Sequence, residues 1–142
     1  MLKVMFLCTG NSCRSQMAEG FARVLGQGIL EPYSAGLKPS HVNPRAIQAM
    51  REVGIDITGQ TSKGIDDDLL RKIDTIITLC GHAEEMCPMT PPSIKRIHWP
   101  IDDPVAATGT EDEIMKEFRK ARDEIKKNIL DFIRIQVARS KG

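Results

Sequence analysis

Short apolar runs without polar alternation, each followed by turn residues and a helical pattern, constrain this chain more than any other feature. Residues 4–8 form the first such run, which suits a parallel strand buried on both faces. Thr9-Gly10-Asn11-Ser12 is turn chemistry. From Ser15, Met17, Phe21, Val24 and Leu25 fall at helical spacing, and Gly26 and Gly28 end the pattern. Residues 29–34 read as a second strand. Asn43 and Pro44 open a second helix as N-cap and first residue, with Ala46, Ile47, Met50 and Val53 on its apolar face and Gly54 as its stop. Residues 66–72 form a short helix. Residues 74–80, apolar and β-branched, are the clearest strand. Residues 81–86 read as a short helical segment, which Pro88, Pro91 and Pro92 prevent from continuing. Residues 94–99 are a last strand. From about Thr110 a long amphipathic helix runs to the end, with Ile114, Phe118, Ala121, Ile125, Ile129, Phe132 and Ile133 as its buried stripe.

This order, β-α-β-α-α-β-α-β-α, predicts an α/β fold: a four-stranded parallel sheet with helices on both faces, in one domain over residues 1–142. Right-handed crossovers put all strand C-termini at one edge, where ligands bind. Cys8 and Cys80 both end strands, so they are expected to be close in space.

Composition narrows the function classes. Lys and Arg number 20 against 19 Asp and Glu, a net charge of +1. That balance argues against nucleic acid or a membrane surface as partner. No stretch approaches the roughly 20 apolar residues of a membrane span. The N-terminal apolar run is too short for a signal-peptide core, so a cytoplasmic location is expected. Four cysteines are too few and too unevenly spread for a disulfide scaffold.

The segment Cys8-Thr9-Gly10-Asn11-Ser12-Cys13-Arg14-Ser15 joins a strand to a helix. A loop there can aim successive backbone N–H groups at one centre, and the helix adds the positive end of its dipole. Thr9, Gly10, Asn11, Ser12, Cys13, Arg14 and Ser15 are therefore the candidate binding residues for a tetrahedral oxyanion. Arg14 supplies a planar fork for it. The same field favours the nucleophilic thiolate form of Cys8, to which Ser15 can donate a hydrogen bond. Gly10 permits tight curvature, and Asn11 tolerates a positive φ. This C-x5-R pattern resembles the loop of phosphatases that work through a cysteinyl-phosphate intermediate. Its position at the N-terminus is similar to the low-molecular-weight tyrosine phosphatases.

Cys80 and Cys87 ask for a further explanation. Seven helical residues span about 10.5 Å, whereas a disulfide needs Cα atoms within about 7 Å. The two can pair only if the segment between them unwinds, and Gly81 and Pro88 weaken it at both ends. Three readings stand: small buried hydrophobes, metal ligands with His82 and His98, or redox thiols acting after Cys8. No common zinc spacing is present, so no metal site is expected.

Over nearly its whole length the chain resembles the thioredoxin-coupled arsenate reductases built on the low-molecular-weight phosphatase fold. The matching residues run from Cys8 through Gly20, then Tyr33-Ser34-Ala35-Gly36, Thr78-Leu79-Cys80, Cys87-Pro88-Met89-Thr90-Pro91-Pro92, His98-Trp99, Asp102-Asp103-Pro104 and Arg122-Asp123-Glu124-Ile125. The resemblance implies a three-layer sandwich and arsenate as substrate. It implies Cys8 as nucleophile, Arg14 as anion ligand and Asp103 as general acid, with Cys80 and Cys87 as successive relay thiols. Thioredoxin is then the partner that supplies electrons, no organic cofactor is needed, and a monomer suffices. Asp102 is read as a turn or N-cap residue, and Cys13 as a buried thiol outside the relay.

Some members of that family bind potassium through residues matching Asn11, Glu19 and Ser34 and an Asp after Thr-Ser. Here Lys63 follows Thr61-Ser62, so its ammonium is expected to take the cation's place. Two other functions remain open at this point. One is a tyrosine phosphatase, which would need neither Cys80 nor Cys87 and usually carries Pro where this chain has Gln16. The other is a thiol-based arsenic or metal sensor.

Overall fold

The computed structural model of the chain describes residues 1–81 and 90–141. Cys87, His82 and the expected helical segment after Gly81 lie outside the described residues. Among the described residues the elements are β1 (Leu2–Cys8), α1 (Arg14–Leu25), β2 (Leu30–Gly36), α2 (Pro44–Glu52), α3 (Asp67–Lys72), β3 (Thr75–Thr78), β4 (Lys95–His98), a 3-10 turn (Pro104–Ala106) and α4 (Glu111–Lys141). Every expected element in the described part is present, and boundaries differ by a few residues.

The four strands form one parallel sheet in the order β2-β1-β3-β4. In β1, Val4, Met5, Phe6 and Leu7 are each at most 1% exposed. Alternate residues of a strand face opposite sides, so both sheet faces are covered, as the unalternating run requires. The architecture is an α/β sandwich built on this sheet. No helix among the described residues is long and apolar enough to cross a membrane.

Local chemistry sets the helix boundaries. Asn43 Oδ1 accepts a hydrogen bond from the Arg45 amide, capping α2 ahead of Pro44. Asp66 Oδ1 does the same for α3 from Asp68 and Leu69. In α4, Phe118, Ile125, Ile129 and Phe132 are buried as expected, and Met115 joins them. Trp99 bridges the layers, with ring centroids 6.2 Å from Phe6 and 6.1 Å from Phe132.

Two assignments to apolar faces need correction. Val24 of α1 and Val53, just past α2, are exposed, and small residues take the inner positions instead: Ala18 and Ala22 in α1, Ala46 and Ala49 in α2. Small side chains let these helices approach closely, and spacing alone does not distinguish an inward valine from an outward one.

β1 has β2 on one side and β3 on the other. Its C-terminal end is therefore the topological switch point of the sheet, the place where open α/β sheets bind ligands. The Cys8–Ser15 loop begins there.

Candidate active site

A second strap of chain holds the loop from outside. The amides of Leu37, Lys38, Ser40 and Asn43 donate to the carbonyls of Cys8, Thr9, Gly10 and Ser12 at 3.2, 2.8, 3.2 and 2.8 Å. The Asn11 carbonyl accepts from Gln16 Nε2 at 2.9 Å. In a trans peptide the N–H points opposite to the preceding C=O. Tying these carbonyls outward therefore turns the amides of Thr9, Gly10, Asn11, Ser12 and Cys13 to the other side. The strap runs so close that a Cβ on Gly36 would lie 2.7 Å from the Asn11 nitrogen, so that position needs glycine.

Asn11 adopts φ 48, the one left-handed non-glycine residue among those described. A left-handed residue in such a loop lets consecutive N–H groups face one concavity. The α1 N-cap residue, Cys13, makes no capping bond with its side chain, so that side chain takes up none of the first amides of the helix. On the inner side of the loop lies a pocket of about 300 Å³, lined by Cys8, Thr9, Gly10, Ser12, Cys13, Arg14, Asp103 and Val105. A larger hollow of about 590 Å³, beside Glu19, Arg23, Gln60 and Lys63, carries no thiol. Chemistry rather than size locates the site in the smaller pocket.

Cys8 is buried, with its sulfur 2.8 Å from Ser15 Oγ. Ser15 Oγ also accepts from Asn11 Nδ2 at 2.8 Å, and Asn11 Oδ1 accepts from the Lys63 amide at 2.9 Å. Arg14 is 9% exposed and is anchored by Nη1 on the Ile101 carbonyl at 2.8 Å. Its Nη2 stands 3.6 Å from Asp103 Oδ2 across the pocket mouth. Asp103 Oδ1 caps the 3-10 turn by accepting from the Val105 amide at 3.0 Å. The cap expected of Asp102 thus belongs to its neighbour, and it holds the Asp103 carboxylate at the rim.

Cys80 comes to the same place. Leu7 pairs with Thr78, and the Leu79 amide donates to the Leu7 carbonyl at 2.9 Å, so the β3 chain continues beside Cys8. Cys80 Sγ lies 3.3 Å from Thr9 Oγ1. Cys8 and Cys13 are both buried free thiols. Burial, helped by the Asp103 carboxylate, pushes the Cys13 thiol far above the usual range, which keeps it protonated and unreactive.

Lys63 Nζ bonds the Thr61 carbonyl at 2.9 Å and Ser34 Oγ at 3.2 Å, and lies 3.5 Å from Glu19 Oε1. Ser34 Oγ in turn donates to Glu19 Oε1 at 2.7 Å. The ammonium therefore sits beside Glu19 and Ser34, while Asn11 contacts the Lys63 backbone rather than its charge. Among the described residues no group of three or more His, Cys, Asp or Glu side chains is placed to hold a metal ion.

Several site residues escaped the sequence reading. Ser62 Oγ donates to the Gly10 carbonyl at 2.9 Å, and Gln16 and Gln60 form an amide pair behind Asn11. Such contacts depend on how a distant loop returns, and the only sequence signal was Gln16 in place of proline.

Comparison with known proteins agrees with this geometry. The family model for low molecular weight phosphotyrosine protein phosphatase matches residues 3–141. An arsenate reductase of Halalkalibacterium halodurans is 53% identical over 129 residues, covering 91% of this chain and 93% of that protein. A solved arsenate reductase in the phosphate binding state is 41% identical with a TM-score of 0.78, covering 94% of this chain and 97% of that one. A thioredoxin-dependent arsenate reductase from Corynebacterium glutamicum is 28% identical with a TM-score of 0.67, covering 92% of this chain and 62% of that one.

Proposed function

From the premise that the chain belongs to the low molecular weight phosphotyrosine protein phosphatase family, we propose that it reduces arsenate to arsenite with electrons from thioredoxin. One observation carries the reading. A second buried thiol, Cys80, stands against Thr9 of the anion loop that begins at Cys8. A phosphatase has no use for it, whereas a two-electron reduction through thiols requires one.

In this reading arsenate enters the pocket and is held by the amides of residues 9–13 and by Arg14, which also stabilise charge developing on its oxygens. The Cys8 thiolate attacks arsenic. Asp103 protonates the departing oxygen, which leaves as water. The Cys80 thiolate then attacks Cys8 Sγ. The sulfur–arsenic bond breaks with its electron pair going to arsenic, which is reduced from As(V) to As(III) and leaves as arsenite. A Cys8–Cys80 disulfide remains. Cys87 attacks Cys80 Sγ and releases the Cys8 thiolate, and the dithiol of thioredoxin reduces the Cys80–Cys87 bond. No organic cofactor takes part. The Lys63 ammonium stands in for a monovalent cation beside Glu19 and Ser34.

The relatives named arsenate reductase support the substrate, and the thioredoxin-dependent neighbour supports the reductant. Tyrosine phosphatase activity shares Cys8, Arg14 and Asp103, but the described pocket lining contains no aromatic side chain to stack a phenyl ring. Weak hydrolysis of phosphate esters is its expected extent.

The deciding assay is arsenate-dependent NADPH oxidation in the presence of thioredoxin and thioredoxin reductase. The wild type turns over, and Cys8→Ser, Cys80→Ser and Cys87→Ser each abolish turnover. Continued turnover by Cys87→Ser with thioredoxin would sink the three-thiol relay. No arsenate-dependent oxidation by the wild type would sink the whole reading.

A further inference from the structure

The Asn11–Ser12 peptide is held by a buried amide, not by backbone. Gln16 is fully buried in the first turn of α1. Its Nε2 donates to the Asn11 carbonyl and to the Thr61 carbonyl, both at 2.9 Å. Both partners only accept, so the orientation of this amide is unambiguous. Gln16 Oε1 accepts from Gln60 Nε2 at 2.8 Å, and the same nitrogen donates to the Gln16 carbonyl at 3.0 Å. Gln60 Oε1 accepts from Arg23 Nη2 at 3.2 Å. Every polar atom of the two amide groups is used, and the chain of bonds ends on the one left-handed residue of the anion loop.

We infer that Gln16, braced by Gln60, is a positioning residue that aims the Ser12 N–H into the oxyanion pocket. The Cys8, Thr9, Gly10 and Ser12 carbonyls are all tied by backbone amides of the strap, but the strap supplies none to Asn11. At φ 48 the Asn11 carbonyl points away from its neighbours' partners, and the Gln16 side chain reaches it. Without that bond the Asn11–Ser12 peptide is free to rotate, and Ser12 N–H leaves the concavity. Asn11 is also fastened by its side chain, to the Lys63 amide and to Ser15 Oγ. Those bonds fix its side chain but leave the orientation of its carbonyl to Gln16.

The inference rests on reading the loop as an oxyanion site, not on arsenate being the substrate. The probe is therefore inorganic sulfate, a tetrahedral dianion throughout the neutral and mildly acidic range, titrated calorimetrically into the full chain. Gln16→Met keeps the length and removes both donors; its sulfate Kd rises about tenfold. Gln60→Met removes the brace alone and gives a smaller rise, about threefold. Gln16→Glu is the discriminating variant. As a carboxylate it repels the Asn11 carbonyl and binds sulfate as poorly as Gln16→Met. Buried there, it takes up a proton on acidification, regains a donor and recovers affinity relative to the wild type at the same pH. Circular dichroism at each pH checks that the fold is unchanged, and Gln60→Glu, which adds the same charge one amide farther from the Asn11 carbonyl, recovers less. A merely structural role or simple charge repulsion moves both variants alike, so this series decides the matter even if Gln16→Met does not fold. Sulfate affinities of folded Gln16→Met within about twofold of wild type, or a Gln16→Glu to wild-type ratio that stays flat with pH, overturn the inference. Wild-type protein that binds no sulfate would overturn the oxyanion reading itself, a different and separately visible result.

Discussion

Ser15 Oγ lies 2.8 Å from Cys8 Sγ while accepting a hydrogen bond from Asn11 Nδ2. Asn11 cannot reverse its amide, because its Oδ1 is occupied by the Lys63 amide. When Cys8 is a thiolate, the Ser15 hydroxyl proton therefore points at sulfur. A hydrogen bond to a charged group contributes about 1.5–3 kcal/mol. Ser15→Ala is expected to lower the single-turnover rate of Cys8 with arsenate by about 10- to 100-fold. Phosphate affinity changes less, because the loop amides remain. An unaltered single-turnover rate would remove Ser15 from the mechanism.

Thr9 faces the second thiol, with Oγ1 3.3 Å from Cys80 Sγ. Thr9→Val keeps the branched shape and removes the hydroxyl. Attack on arsenic by Cys8 should continue, while formation of the Cys8–Cys80 disulfide slows by about tenfold. Rapid-quench trapping of free thiols after one arsenate addition separates the two steps. Equal slowing of both would mean that Thr9 serves the anion loop alone.

Legibility from sequence followed the range of the interactions. The strand–loop–helix order around Cys8, the Asn43-Pro44 cap and the core stripe of α4 depend on residues a few positions apart, and each was readable. Cys80 was placed near Cys8 by topology alone, because parallel strands must end on one side. The strap from Leu37 to Asn43 and the Gln16–Gln60 pair join segments up to 44 residues apart, for which spacing carries no signal. Arg122 of α4 is only 8% exposed, since Glu52 and the Ala49 carbonyl on a different helix satisfy it, a burial that its charge and spacing do not signal. Asp102 and Asp103 could be told apart as caps only by which oxygen meets the Val105 amide.

Lys63 offers a test in salt. Its ammonium is partly exposed and lies 3.5 Å from Glu19 Oε1, whose side chain is largely buried. Wild-type turnover is expected to be the same in potassium and choline salts. Lys63→Met leaves Glu19 and Ser34 with the cation removed, a loss of about 1 kcal/mol after solvent screening. Potassium should then raise the Tm and activity of Lys63→Met above those in choline chloride. Potassium-dependent activity in the wild type would contradict the substitution of ammonium for cation.

Cys13 tests the division of labour among the thiols. Burial holds it protonated, so iodoacetamide at neutral pH should label Cys8 and spare Cys13 in the folded chain. Cys13→Ala retains the backbone amide that faces the pocket and should keep turnover within about threefold of wild type, with a stability loss of about 1 kcal/mol. Abolished turnover in a folded Cys13→Ala protein would return this thiol to the chemistry.

Glu52 makes the acid limb of stability sensitive to one carboxylate. It receives both arms of Arg119, at 2.9 and 2.8 Å, and Arg122 Nη1 at 3.0 Å, joining α2 to α4. The Arg119 hydrogen bond, with a further contribution from Arg122, holds its carboxyl below the usual range. A group whose pKa is lower folded than unfolded binds fewer protons when folded, so its contribution is complete above the ordinary carboxylate value, about pH 4.5. That contribution is lost as the pH falls through the lowered folded value. Glu52→Gln should therefore have a lower Tm than wild type at neutral pH, and the gap should narrow on acidification below about pH 4.5. Arg122, only 8% exposed, keeps the Ala49 carbonyl and Asp123 in that variant but loses its interhelical carboxylate. Thermal melts of both proteins across the acidic range check this, and a gap that stays constant with pH would show that the Glu52 charge adds nothing to the clamp.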